Sequence, residues 1–331
     1  MVERLPKVVA LIPDDFLSIL KRQKYHVVGS HSAVKKCRWL HESLVRGRHC
    51  YKEEFYGIAS HRCLQLTPTV AYCNQACLWC WRVIAGEVNP SFDESRIPSP
   101  DDAAGIVDGC LAEQRRILSG YKAQVKSNSI GAKKYEEACE PKHAAISLAG
   151  EPTLYPFIGE LISEFMRRGF TTFLVSNGTN PKVLGEIDEP TQLYITLGAP
   201  TEEVYGKVCR PSGPGLWHKL LKSLEMLREF SCPTVVRLTL AKKMNMFAPN
   251  EYAKLILKAE PTYVECKAAM SVGYGSQIGR MGYENMPSFQ EVKGFSEELA
   301  ELTGLKAIGE KSDNRVVLLS RLDRPIKLRQ G

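Results

Sequence analysis

From Cys63 onward the chain repeats one alternation: a short apolar run, a turn, and then a stretch whose apolar residues recur at three- and four-residue spacing. Six runs read as strands: Leu64 to Ala71, Ala144 to Leu148, Thr171 to Val175, Leu193 to Leu197, Val235 to Leu240 and Tyr263 to Ala269. Between them, Phe157 to Arg168, Leu216 to Phe230 and Glu251 to Ala259 carry the period of amphipathic helices. Apolar strands that alternate with helices belong to a parallel sheet covered by those helices. Six units fall short of the eight that close a full barrel. The expected fold is therefore α/β, an incomplete (β/α)6 TIM-like barrel over 63–275. Residues 1–62 read as an N-terminal extension and 276–331 as a C-terminal one, with a helix near Phe289 to Leu302 and a hairpin around Lys311 to Asn314. Asp101 to Lys142 reads as an insertion that begins with a helix and ends in the polar run Lys122 to Glu137.

Of the 331 residues, 44% are hydrophobic and 24% charged, which suits neither a disordered chain nor a membrane protein. No apolar segment approaches the roughly 18 residues that a membrane span requires. The stretch Val8 to Ile12 is cut short by Pro13, Asp14 and Asp15, so it makes no convincing signal peptide. A cytoplasmic monomer is expected. The formal charge of +7 favours a polyanionic partner. Lys35, Lys36, Arg38, Arg46 and Arg48, interleaved with Trp39 and Tyr51, and Lys133 and Lys134 in the insertion are the candidate phosphate contacts. A solvated charged surface is the plainer alternative for each.

The chain has 11 cysteines, and in a cytosolic protein clustered cysteines point to metal before disulfides. Cys73, Cys77 and Cys80 fall in one short loop directly after a strand. Structural zinc sites and ordinary ferredoxin clusters take four protein ligands, whereas three thiolates on a four-iron cluster leave one iron open. The CxxxCxxC spacing, with Trp79 before its last cysteine, resembles the radical S-adenosylmethionine (AdoMet) superfamily. That resemblance implies an open iron that binds AdoMet and a reduced cluster that cleaves it to a 5′-deoxyadenosyl radical. Ala149-Gly150-Glu151 resembles the superfamily's GGE motif, with Ala149 in place of the first Gly, and implies a contact from Gly150 and Glu151 to the methionyl amine. Ser176 and Asn177 follow the third strand, although Asn177-Gly178 is equally a simple turn. Thr196, Arg237 and Asn245 lie on or just after strands, where barrel enzymes gather their ligands.

Cys37, Cys50 and Cys63 form a second series with twelve residues between successive members. By spacing alone they are equally three separate core residues. The wider context is Ser60-His61-Arg62-Cys63-Leu64-Gln65-Leu66-Thr67-Pro68, Cys80-Trp81-Arg82, Ser147 to Pro156, Arg237-Leu238-Thr239, Glu265-Cys266-Lys267 and Asn285-Met286-Pro287-Ser288. With these segments the chain resembles the archaeal tRNA 4-demethylwyosine synthases over nearly its whole length.

That resemblance implies a second [4Fe-4S] cluster on Cys37, Cys50 and Cys63, and a Schiff base between Lys52 and pyruvate, with pyruvate held by Lys52 or by the second cluster. The implied substrate is the N1-methylguanosine beside the anticodon of tRNA-Phe, stacked on aromatic residues among which Trp39, Tyr51 and Trp81 are candidates. Longer eukaryotic relatives carry a flavin-binding domain that is missing from this sequence, so an external electron donor is expected. Two rival readings are a radical enzyme acting on another substrate and a zinc-stabilised RNA-binding protein without catalysis. Cys110, Cys139, Cys209, Cys232 and Cys266 are left as structural thiols.

Overall fold

The structure, a computed structural model, describes residues 12–328. All but Ile12 of the apolar stretch Val8 to Ile12 lies outside the described residues. The chain enters on α1 (Asp14–Arg22) and a hairpin, β1 (Tyr25–Val28) and β2 (Ser32–Lys35). Gly29 turns the hairpin at φ +58°, and a side chain there would strike the Asp101 carboxylate. That carboxylate accepts the Ser30 N–H at 2.7 Å and the Ser30 hydroxyl at 3.0 Å. Two helices follow, α2 (Arg38–Arg46) and the single-turn α3 (Tyr51–Tyr56), each ended by a left-handed glycine, Gly47 and Gly57.

The repeated units come next. They are β3 (Cys63–Thr67), α4 (Ala103–Leu118), α5 (Lys122–Lys126) and α6 (Ala132–Cys139); β4 (His143–Ile146) and α7 (Ile158–Arg167); β5 (Thr171–Ser176) and α8 (Pro181–Glu186). Then follow β6 (Gln192–Thr196), α9 (Glu202–Cys209) and α10 (Leu216–Glu225), β7 (Thr234–Leu240) and α11 (Pro249–Ala259), and β8 (Tyr263–Ala268). The chain closes with α12 (Gly273–Gln277), α13 (Phe289–Thr303), β9 (Lys306–Lys311) and β10 (Val316–Ser320). Each of the six predicted strands is present, with ends that differ by up to four residues.

All ten strands join one open sheet in the order β1-β2-β3-β4-β5-β6-β7-β8-β10-β9. From β3 to β8 the pairing is parallel, as expected of a partial barrel. β2 joins β3 and β10 joins β8 antiparallel, so both extensions continue the barrel sheet at its edges. The N-terminal extension contributes two strands, and the polar run Lys122 to Glu137 holds α5 and most of α6. No helix among the described residues is long and apolar enough to cross a membrane.

Alternate residues of each strand serve two separate cores. Leu174, Leu193, Ile195, Val236, Leu238 and Val264 pack against the outer helices. Phe173, Tyr194, Val235 and Tyr263 face the other way and meet Tyr51, Phe55 and Tyr56 of α3. The extension therefore wedges a helix onto the inner face of the barrel. Burial of each such aromatic side chain stabilises the fold by about 1.5–3 kcal/mol. This wedge is what brings residues near position 50 under the loops that follow β3 to β8.

Candidate active site

The loop with Cys73, Cys77 and Cys80 is held from two sides. The Ala76 N–H donates to the Cys209 carbonyl at 3.0 Å, the Leu78 N–H to Val208 at 2.9 Å, and the Ser212 N–H to Asn74 at 3.0 Å. Gln75 Nε2 donates to the Tyr205 hydroxyl at 2.6 Å. On the other side Arg82, buried, donates to Glu94 at 3.0 Å and to the Gln75 carbonyl at 3.1 Å. The three thiols are free and half-buried, and all line one cavity of about 570 Å³. Burial pushes the Cys73 thiol up to about 12, with the Arg82 charge working against it. Metal would have to displace that proton, and the adjacent guanidinium lowers the cost.

Glu151 stands opposite the thiols. It is buried, and its carboxylate accepts the Thr153 N–H (3.1 Å), the Thr153 hydroxyl (2.7 Å), the Ser176 hydroxyl (2.8 Å) and the Asn177 N–H (2.7 Å). Burial raises its pKa while these donors lower it, and burial wins. Gly150 bends the chain at φ +71°, where a Cβ would collide with the Thr69 and Tyr72 carbonyls. The motif position therefore needs glycine for its backbone, and Ala149 costs the local geometry nothing.

Of the residues expected to contact cofactor, Trp79, Gly150, Glu151, Ser176, Asn177, Thr196 and Arg237 all line the cavity. Asn245 does not. Its amide donates to the Gly198 and Thr239 carbonyls at 2.8 Å and accepts the Ala241 N–H at 2.7 Å, which ties down the loop behind the wall. Arg237 has a second commitment lower in the barrel: it pairs with Glu265 at 2.7 Å and donates to the Tyr51 hydroxyl at 2.7 Å.

The second cysteine series converges from separate elements. Cys37 immediately precedes α2, Cys50 immediately precedes α3, and Cys63 opens β3. Backbone N–H groups of Trp39 and Leu40 approach the Cys37 sulfur, and that of Lys52 approaches Cys50. Cys63 lies within electrostatic reach of both other thiols and of Lys52. Free thiols whose sulfurs meet backbone donors suit thiolate ligands of an iron–sulfur cluster. Cys37 also lines the cavity that holds Cys73, Cys77 and Cys80, whereas Cys50, Cys63 and Lys52 do not line it.

Lys52 is buried on the inner face, its ammonium 4.0 Å from the Phe173 ring centroid and 4.4 Å from that of Tyr194. Burial, then the positive charge of Arg237, lowers its pKa to about 8. Glu265 is fully buried beside it and accepts from Tyr51 and Tyr56, each at 3.1 Å, as well as from Arg237. Burial alone would raise the Glu265 carboxyl, but the cations Arg237 and Lys52 hold it below the usual range. The sequence assigns no role to Glu265 or Lys267. Their signal was a charged residue at every second position of an apolar strand, which places both on the inner face.

At the mouth, Lys35, Lys36, Arg38, Trp39 and Trp81 line the cavity. Trp39 has the Arg38 and Arg48 guanidiniums 5.6 and 5.7 Å from its ring centroid. Tyr51 is no stacking platform, because it is buried and bonded to Glu265. Lys134 is tied to the Ser43 carbonyl, and Arg46 and Arg48 pair with Glu42.

A partial barrel with three free thiols facing a Gly-Glu carboxylate is the arrangement of a radical AdoMet enzyme. Residues 67–256 match the Radical SAM superfamily, and residues 258–321 match Wyosine base formation. The AdoMet-dependent tRNA 4-demethylwyosine synthase of Pyrococcus abyssi is 47% identical over 94% of this chain and 90% of its own length. That of Methanocaldococcus jannaschii is 38% identical over 96% of this chain and 99% of its own. The solved structure of TYW1 with a lysine–pyruvate adduct bound is 37% identical, covers 96% of this chain and 99% of its own, and superposes with a TM-score of 0.85. The chain belongs to the tRNA 4-demethylwyosine synthase family. It is an AdoMet-dependent radical enzyme of wyosine biosynthesis that acts on tRNA, and its superfamily uses a [4Fe-4S] cluster.

Proposed function

We propose that the enzyme converts the N1-methylguanosine beside the anticodon of tRNA-Phe to 4-demethylwyosine by adding two carbons of pyruvate. We further propose that Cys37, Cys50 and Cys63 hold a second [4Fe-4S] cluster, that Lys52 condenses with pyruvate, and that an external donor supplies the electron. The observation that carries this reading is the position of Lys52: a buried amine, on the inner face, among three free thiols that are not those of the AdoMet loop.

Cys73, Cys77 and Cys80 would hold the cluster whose electron cleaves AdoMet, and that chemistry would supply the radical that takes hydrogen from the N-methyl group. The chain's own residues prepare what that radical meets. A lysine held near pKa 8 is roughly one-tenth neutral at pH 7, against far less than a hundredth for a solvated lysine. The neutral Nζ attacks the pyruvate carbonyl carbon, water leaves, and the Schiff base keeps the methyl end of pyruvate fixed. The Phe173 and Tyr194 rings close the site below and keep water from returning to the imine. The methyl-derived carbon radical then adds to the imine carbon, and scission of the bond to the carboxyl carbon restores the imine and expels a carbon dioxide radical anion. One electron from the external donor and a proton convert that anion to formate, and the guanine amino group displaces Lys52 Nζ to close the third ring. Lys35, Lys36 and Arg38 at the mouth suit the phosphates of an anticodon loop, and Trp39 and Trp81 suit an extruded base.

The test is anaerobic turnover of reduced enzyme with methylated tRNA-Phe, AdoMet and pyruvate. The tricyclic base is expected by mass spectrometry, together with a reductively trapped pyruvyl group on Lys52. Lys52→Met is expected to lose both. A wild-type enzyme that makes no tricyclic base would refute the assignment.

A further inference from the structure

The inner face holds more positive charge than its own residues answer. Lys52, Arg237 and Lys267 face it, against the single carboxylate of Glu265. That carboxylate is already filled: Oε1 accepts Tyr56, and Oε2 accepts Tyr51 and two donors of Arg237. Neither lysine forms an ion pair or a hydrogen bond to a carboxylate among the described residues. A four-iron cluster on three thiolates would add about one net negative charge in its oxidised form, so with Lys52 protonated about one positive charge is left over.

The free donors have a direction. Lys267 Nζ spends one proton on the Asn314 carbonyl at 2.9 Å and lies 5.0 Å from the Tyr51 ring centroid, which leaves two N–H donors. Arg237 uses Nε and Nη2, and its Nη1 has no hydrogen-bond partner among the described residues. Both side chains line the cavity, and β7 and β8 pair directly with Thr239 beside Lys267 and Arg237 beside Glu265. Two cations with unused donors on neighbouring strands, with Arg237 within electrostatic reach of the Lys52 amine, form a receptor for a small anion.

We infer that Lys267, with Arg237 Nη1, grips the carboxylate of the 2-oxo acid whose keto carbon condenses with Lys52, and so selects 2-oxo acids over uncharged ketones. The inference rests on the pyruvate reading above and adds to it the group that recognises the acid. Arg237 has the further duty of holding Glu265, so Lys267 is the residue to test.

The experiment is reductive trapping on the cluster-loaded enzyme without tRNA, read by intact-protein and peptide mass spectrometry across a concentration series of pyruvate and of its uncharged methyl ester. In Lys267→Met, half-saturation by pyruvate is expected to rise about tenfold or more, the loss of one charge-assisted hydrogen bond. Trapping of the ester should stay within about twofold of wild type, so the acid-to-ester preference collapses. Because the preference is a ratio within one sample, partial unfolding does not alter it. Lys267→Arg keeps the charge and should retain most of the preference. An unchanged preference in Lys267→Met would overturn the inference and leave the Schiff base standing. If the wild type traps neither compound on Lys52, the underlying reading fails and the inference with it.

Discussion

Glu151 shows how much of this site is decided by single residues. A buried carboxylate is costly unless donors surround it, and four do. Its replacement by Gln sets an amide NH2 against N–H and O–H donors and leaves at least one of them unanswered. Glu151→Gln is expected to lose about 1–3 kcal/mol of stability in a denaturant titration, whatever its effect on cofactor. An unchanged midpoint would mean that the four bonds do not form as described. The same residue is legible in the sequence as part of a motif, as are Cys73, Cys77 and Cys80, whereas Cys37, Cys50, Cys63 and Lys52 are singled out only by the family resemblance. What the sequence did not disclose is how residues far apart share a task. Tyr51 reads from sequence as a candidate stacking aromatic or equally a core one, and its hydroxyl bridges Arg237 and Glu265, residues of β7 and β8. Asn245 looked like a ligand because it follows a strand, yet its amide is consumed by backbone. Neither outcome follows from local spacing, since each depends on partners that only the closed fold supplies.

At the scale of elements, the position of α3 matters most, and a buried histidine pins its approach. His143 on β4 accepts the Ala59 N–H at Nε2 (3.1 Å), while its Nδ1 bonds Thr171 at 2.7 Å. Burial, then the charges of Arg62 and His61, pushes it down to about 4. A proton on Nε2 would abolish the acceptor that holds the chain just after α3. Because the folded value lies below the unfolded value near 6.5, the unfolded state binds more protons in this window. Stability is therefore full above about pH 6.5 and falls as pH drops toward 4, by about 3 kcal/mol over the whole range. Denaturant midpoints at pH 7 and pH 5 check the sign. His143→Gln should flatten the slope by about one proton, and an identical slope in that variant would show that another group is responsible. The six strands were legible because they are apolar and regularly spaced. The β1–β2 hairpin was not, since its strands are four residues each and sit in a basic stretch. Likewise α5 and α6 carry too few apolar residues to show a helical period, and tertiary packing against the extension holds them.

At the scale of the whole molecule, the fold gathers two sets of three thiols by two routes, and Cys37 of the second set lines the cavity of the first. The loop after β3 supplies Cys73, Cys77 and Cys80, and the extension returns across the inner face with Cys37 and Cys50 to meet Cys63. The extension thereby adds to a common partial barrel a buried amine and a second set of free thiols. The number of clusters per chain distinguishes this arrangement from a one-cluster enzyme. The direct measurement is iron and acid-labile sulfide per chain in anaerobically reconstituted protein, wild type against a Cys37→Ala, Cys50→Ala, Cys63→Ala triple variant. About eight irons falling to about four, with the AdoMet-bound cluster signal retained, is the predicted result. About four irons in both proteins would contradict the account and confine the metal to Cys73, Cys77 and Cys80.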